Sequence, residues 1–207
     1  MYTAPPRPTS SHRIAAEVRA WVDRAVIGLQ LCPFAKAVQV KGLVDYVVTD
    51  ANDAVGLRAA LVRELRRLAK TPHSELDTIV LVHPWAMQAF ADFNQFLDEA
   101  DAAVADLGLS GEIQLASFHP DYRFAGTADD DIGNATNRAP YPILHLLREA
   151  SIAAAVAAFP DAESIYEVNI ATMERLGPEG WATLQRQCRE DADAAMPDGP
   201  GSEPCAP

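Results

Sequence analysis

The chain has 207 residues, of which 49% are hydrophobic and 22% are charged, and its 17 basic and 29 acidic residues give a formal net charge of -12. This composition predicts a soluble globular protein without the roughly 20 consecutive apolar residues that a membrane-spanning helix needs. The acidic balance repels phosphate backbones and disfavours nucleic acid as a partner, and the Pro-rich N-terminus lacks the apolar core of a secretory signal, which favours the cytoplasm.

Two tails flank one expected domain. Residues 1–11 and 192–207 hold seven of the 15 prolines and few periodic apolar residues. Too little apolar surface is available there to offset the entropy of ordering, so both tails are predicted to be disordered around a single domain over 12–191. The chain has three cysteines, which form no CxxC pair and do not indicate a disulfide framework.

The first half of the chain alternates helical and extended patterns. The predicted elements, in chain order, are a helix that begins after Ser10 or Ser11 and ends before Pro33, a strand over 38–49, a helix from Asp53, a strand over 78–82, a helix over 86–107 and a strand over 113–118. Each short strand is an apolar run bounded by turn residues, and each helix carries apolar residues at three-to-four spacing.

The second half begins with a long segment, 119–140, that has no periodicity and is crowded with Asp, Asn, Gly and Thr. Loops of this length inside a compact domain are uncommon and are often functional. A helix over 142–158, a strand over 164–169 and a helix over 179–190 are expected after it. The alternation favours an α/β domain with a mainly parallel four-stranded sheet and helices on both faces, and a ferredoxin-like α+β sandwich is the alternative.

Polar side chains follow three of the predicted strands, namely His83, His119 and Asn169. Ligands of open parallel sheets bind at the carboxyl ends of the strands, so we expect a site at this edge. A histidine before proline is equally typical of a turn, which applies to His83. The long loop behind His119 favours a function for that residue.

The loop leads into a predicted helix with candidate binding residues on its polar face. On a helical wheel, Tyr141, His145 and Arg148 lie opposite the apolar residues. Asn137 is expected to cap this helix, and its free N–H groups, with Arg138 and Arg148, would favour a carboxylate or phosphate. The alternative is a solvated helix face in which His145 pairs with the glutamate four residues later.

Cys32 stands between Leu31 and Pro33 at the end of the first helix. Its thiol is either a small buried hydrophobic group or a thiolate that acts as nucleophile or metal ligand. A metal site would combine it with histidines such as His119 and His145, but no pair has the spacing of a zinc motif. The sequence also lacks a GxGxxG, a P-loop, a GxSxG and an HExxH, which removes common nucleotide-binding, hydrolase and metalloprotease assignments.

Several longer strings carry a family resemblance. They are VIGLQLCPFA at 26–35, FHP at 118–120, NRAPYP at 137–142 and HLLRE at 145–149. In these strings the chain resembles a family of bacterial proteins catalogued as domain of unknown function 1415. The resemblance spans nearly the whole chain outside the tails. It implies no reaction, cofactor or catalytic residue, so the functional expectations rest on the residues themselves.

Three functions stay open. The favoured one is an enzyme that acts on a small anionic substrate at the carboxyl edge of the sheet, with Cys32, His119 and His145 in catalysis. The expected substrate-binding residues are His83, Asn137, Arg138, Tyr141, Arg148 and Asn169. The second function is a metal- or haem-binding protein with Cys and His ligands. The third is a non-catalytic module for an anionic metabolite or a protein partner.

Overall fold

The computed structural model describes residues 10–158 and 164–196. Most of both predicted tails lies outside these ranges, as does Cys205. At the C-terminal end, Ala192 is buried and Arg13 donates a 2.7 Å hydrogen bond to Asp193. The last helix therefore packs on the domain beyond residue 191.

The described residues contain six α-helices and four strands. The helices are α1 (Ser11–Trp21), α2 (Ala35–Val40), α3 (Ala54–Lys70), α4 (Phe90–Asp106), α5 (Glu149–Ala157) and α6 (Ile165–Ala194). The strands are β1 (Val44–Val48), β2 (Thr78–Val82), β3 (Ile113–Phe118) and β4 (Ile143–Arg148). A π-helical turn, Val22–Ile27, follows α1, and a 3₁₀ segment, Ile132–Asn137, precedes β4. No helix in these ranges is both long and apolar enough to cross a membrane.

The four strands form one mixed sheet in the order β1-β2-β4-β3. β1 and β2 are parallel, whereas β4 is antiparallel to both of its neighbours. The predicted single α/β domain is confirmed, but the prediction of a mainly parallel sheet is wrong. No α-helix lies between β3 and β4. The chain therefore re-enters the sheet at the end where β3 leaves it, and β4 runs antiparallel to β3.

Two predicted elements after the loop have the wrong type. The apolar run after Pro142 was expected to open a helix, but its first six residues are β4, and α5 starts only at Glu149. Such a short apolar run is compatible with both the helical period and the strand period. Residues 164–169 were expected to form a strand, but α6 begins at Ile165. Tyr166 and Val168 are exposed on this helix, so the segment does not form the buried apolar run that the prediction assumed.

Helices cover both faces of the sheet, so the ferredoxin-like alternative, with its helices on one face, does not apply. Alternate residues of β2 and β4 point to opposite faces. Ile79 and Leu146 pack with α3 and α4, whereas Val80 and Ile143 pack with α1 and α6. We call the second side the α1 face.

α6 is divided at Gly177, whose φ of 67° lies in the left-handed region that glycine adopts without strain. Pro178 then starts the second half, where its missing N–H costs no helical hydrogen bond. The first half lies beside the loop that precedes α2, since Asn169 Nδ2 donates to Leu31 O at 2.9 Å. The second half packs along α1 and buries Leu184 and Cys188.

Candidate active site

A largely apolar cavity of about 750 Å³ lies on the α1 face of the sheet. Val80, His145 and Ala116 are neighbours in the strand register and form its floor. Trp21 and Phe34 belong to its walls. This volume lies in the range of about 300–1,000 Å³ that is typical of small-molecule sites.

His145 is a polar group on this apolar floor, and Thr78 fixes its tautomer. The Thr78 hydroxyl lies 2.6 Å from the carbonyl oxygen of Leu146 and 2.7 Å from His145 Nε2. A carbonyl oxygen only accepts, so the single hydroxyl hydrogen goes to Leu146. Nε2 must therefore carry the hydrogen that it shares with Thr78, and the lone pair of the neutral ring is on Nδ1.

The Nδ1 atom of His145 faces the cavity. Within residues 10–158 and 164–196 this nitrogen has no hydrogen-bond partner, and it is not fully buried. Burial lowers the pKa of His145 to about 4, so the ring is neutral at pH 7. The arrangement presents a fixed hydrogen-bond acceptor, or base, to any molecule in the cavity.

Cys32 lies in the wall of the same cavity and is half-buried. Its position is set by the turn after the π-helical segment, in which Cys32 N–H donates to Val26 O at 3.3 Å. Cys188 differs, because it is buried in the core and desolvation raises the pKa of its thiol to about 11. Of these two thiols, only Cys32 lines the cavity.

Arg148 also lines the cavity, but its guanidinium is held by backbone carbonyls. Nη2 lies 2.7 Å from Leu68 O, 2.6 Å from Thr71 O and 3.2 Å from Leu76 O. The first two carbonyls belong to the C-terminal end of α3, where a cation is favoured. Arg148, at the end of β4, therefore connects the C-terminal end of α3 and the segment before β2 to the sheet. Its guanidinium is not the free anion-binding group that the predicted helix would have presented.

His83 and His119 lie at the other end of β2 and β3, away from His145. His119 Nδ1 accepts from the N–H of Asp121 at 3.0 Å, and Nε2 donates to Met87 O at 3.3 Å. With both nitrogens engaged and the ring stacked on Phe93, His119 anchors the loop and has no free nitrogen for catalysis or a metal. In the described residues no group of three or more His, Cys, Asp or Glu side chains is placed to hold a metal ion.

His83 is completely buried beside the ring of Phe93. Its Nδ1 donates to Ala86 O at 3.0 Å, and its Nε2 is buried without a partner. Desolvation lowers the pKa of His83 to about 4. A neutral core histidine is therefore found where a substrate contact was expected.

The remaining predicted binding residues form hydrogen bonds within the protein. Asn137 Nδ2 donates to Ser117 O at 3.2 Å, and Arg138 donates to the carbonyls of the loop before it. Tyr141 is buried, and its hydroxyl donates to Glu17 at 2.8 Å. Asn169 lines a second cleft on the other side of Cys32. Of the nine predicted residues, the cavity brings together Cys32, His145 and Arg148.

A family model described as protein of unknown function (DUF1415) matches residues 13–183. The chain therefore belongs to the DUF1415 family. The matched range contains the whole sheet, the loop and all residues of the cavity. Comparison with curated proteins and with solved structures finds no match.

In this DUF1415 chain the cavity has polar residues that sequence reasoning missed. Asp77 precedes β2, and its Oδ1 accepts from Ser151 Oγ at 2.6 Å and lies 3.1 Å from His73 Nε2. This carboxylate fixes the start of α5 against the sheet. Thr78 was also missed, because its contact with His145 depends on the pairing of β2 with β4. No local motif signals either residue.

The loop of the DUF1415 chain is organised by Asn134, which is completely buried. Its Oδ1 accepts from Phe124 N–H at 3.0 Å, and its Nδ2 donates to Ala128 O at 2.8 Å. Asp131 caps the 3₁₀ segment by accepting from Gly133 N–H. The polar residues of 119–140 thus satisfy the loop's own backbone, which explains their abundance without a ligand.

Proposed function

We propose that the protein is an enzyme acting on a small, mainly apolar substrate that carries an acidic group, with His145 as general base and Cys32 as nucleophile. The observation that carries the proposal is the neutral His145 ring, held by Thr78 at Nε2 and open to the cavity at Nδ1. A base whose second nitrogen is fixed by a neighbour is the usual arrangement for nucleophile activation.

The substrate class follows from the cavity lining. Its walls are mostly aliphatic and aromatic, which suits an apolar body. Lys41 adds a positive charge, whereas Arg148 is engaged by backbone carbonyls and the Asp77 carboxylate by Ser151 and His73. A carboxylate bound near His145 would stabilise the imidazolium and raise its pKa from about 4 towards neutrality. Substrate binding would thereby make the ring a stronger base.

The proposed setting is the cytoplasm. A catalytic thiol must stay reduced, and reducing conditions are typical of that compartment. Half-burial of Cys32 in a cavity wall leaves room for substrate access, whereas the buried Cys188 is unsuited to the role.

Acylation by p-nitrophenyl octanoate tests the Cys32–His145 pair with a probe that has the apolar body of the proposed substrate but not its acidic group. In the expected reaction the Cys32 thiol gives its proton to His145 Nδ1, the sulfur attacks the ester carbonyl, and p-nitrophenolate leaves while a thioester forms. Release of p-nitrophenolate gives the rate, and peptide mass spectrometry locates the octanoyl group. His145→Gln keeps an N–H donor near Thr78 but lacks the base, so the rate should fall about 100-fold or more.

His73→Gln is the matched control, because His73 lies at the edge of the cavity and has a largely exposed side chain. Its acylation rate should equal that of the unaltered protein. If His145→Gln is acylated as fast as the unaltered protein, His145 is not the general base. Binding of octanoate by calorimetry without any acylation of Cys32 would replace the enzyme with a non-catalytic carboxylate-binding module.

A further inference from the structure

A second cleft, of about 680 Å³, lies between the loop before α2 and the first half of α6. Its lining includes Gly28, Gln30, Lys36, Asn169, Thr172 and Arg175. Cys32 and Pro33 belong to the lining of both the cleft and the cavity, so this short segment lies between the two. Nothing in the proposed function uses the cleft.

The described lining of the cleft is positively charged, although the chain as a whole is acidic. The protein carries 29 acidic residues against 17 basic ones, yet the described residues that line the cleft include two cations and no carboxylate. In the part of the chain that the structure describes, neither Lys36 nor Arg175 forms an ion pair with a carboxylate. A region of positive potential on an acidic surface attracts anions.

Arg175 and Thr172 form an oriented pair of donors. Arg175 Nη2 donates to Thr172 Oγ1 at 3.0 Å. The threonine oxygen is the acceptor in this bond, and no described group accepts the hydroxyl hydrogen. That hydrogen and the remaining guanidinium N–H groups are therefore available to a ligand.

The wall opposite α6 has a defined backbone. Asn169 reaches across the cleft to Leu31 O, and Gln30 holds a positive φ of 57°. Gly28 has no room for a side chain, because a Cβ atom there would lie 2.3 Å from Arg24 O. The loop is thus fixed against α6, so that Lys36 and Arg175 line the same cleft.

We propose that this cleft binds the phosphate group of a small molecule. A phosphate has more acceptor oxygens than a carboxylate and uses an Arg fork, a Lys ammonium and a hydroxyl together. The site is independent of the proposed reaction at His145. Because Cys32 borders both spaces, a phosphorylated molecule held in the cleft would lie next to the proposed nucleophile.

Titration of the full chain with inorganic phosphate, followed by amide NMR at constant ionic strength, tests the site. Saturable shifts are expected for the amides of Gly28 and Thr172. Lys36→Ala and Arg175→Ala should each weaken binding about fivefold or more. Acetate, used as the carboxylate probe under the same conditions, should bind more weakly than phosphate.

Arg186→Ala is the matched control, since Arg186 lies on the same helix but pairs with Glu190. Its phosphate affinity should be unchanged. The proposal is overturned if no saturable shift occurs, if all three variants lose affinity equally, or if acetate binds as well as phosphate. His145→Gln should keep full phosphate affinity, so failure of the acylation test leaves this site standing.

Discussion

Acid should destabilise the protein through His83. Its pKa is lowered to about 4 in the folded state, against an ordinary value of 6.5, because the ring is desolvated. The unfolded chain therefore binds more protons in acid, and the stabilising contribution is complete above pH 6.5 and is lost as the pH falls towards 4. At about 1.4 kcal/mol per pH unit, the loss amounts to about 3 kcal/mol.

His145, with a pKa of about 4 from the same cause, adds a similar loss over the same interval. The two together amount to about 6 kcal/mol, which is comparable with the lower end of the stability of a typical domain, about 5–15 kcal/mol. Urea unfolding followed by circular dichroism at several pH values between 7 and 4 measures the effect. The free energy of unfolding should fall steeply below pH 6.5.

His83→Asn isolates the contribution of one ring. The shorter amide retains an N–H near the position of Nδ1, which donates to Ala86 O, and it does not titrate. The variant should start less stable at pH 7 and lose about 3 kcal/mol less than the unaltered protein on acidification. His12→Asn, at an exposed position, is the control and should leave the pH dependence unchanged. An identical pH dependence in both variants would refute the reasoning.

Three further substitutions test the structural roles assigned above, each by urea unfolding at pH 7. Arg148→Lys should cost about 1–2 kcal/mol, because one ammonium cannot replace a guanidinium that lies close to three carbonyls; unchanged stability would contradict this role. Asn134→Ala should cost about 2–3 kcal/mol by leaving buried loop groups unpaired, whereas the exposed Asn94→Ala should cost little. Gly28→Ala should cost about 1–3 kcal/mol, since its Cβ would overlap Arg24 O.

Sequence reasoning located β2 and β3 to the residue because each is a short apolar run between turn signals. It missed β4 because the run Ile-Leu-His-Leu-Leu after a proline fits a helix start as well as a strand. That one error placed His145 on the polar face of a helix and not on the face of the sheet. The contact that defines the candidate base, between Thr78 and His145, joins residues 67 positions apart and depends on strand pairing.

Positive charge alone was a poor criterion for selecting ligand-binding arginines. Arg138 and Arg148 were chosen because a guanidinium suits an anionic ligand, but its five N–H donors suit backbone carbonyls equally well. Arg138 binds carbonyls in the loop, and Arg148 binds those at the end of α3. Arg175, which the sequence analysis did not select, bonds only to a threonine among the described contacts. Sequence alone cannot distinguish these cases, because the acceptors are set by tertiary packing.

The three histidines show why residue type alone does not identify a base. In all three, burial lowers the pKa and keeps the ring neutral, so the protonation state does not separate them. His119 Nδ1 is bonded to the backbone of its own loop and Nε2 to Met87 O in the loop before α4, and the free nitrogen of His83 is sealed in the core. His145 alone of the three combines a fixed Nε2–H with an Nδ1 that reaches a cavity large enough for a substrate. A histidine can take a proton from a ligand only if a nitrogen lone pair and space for the ligand coincide, and this condition selects His145.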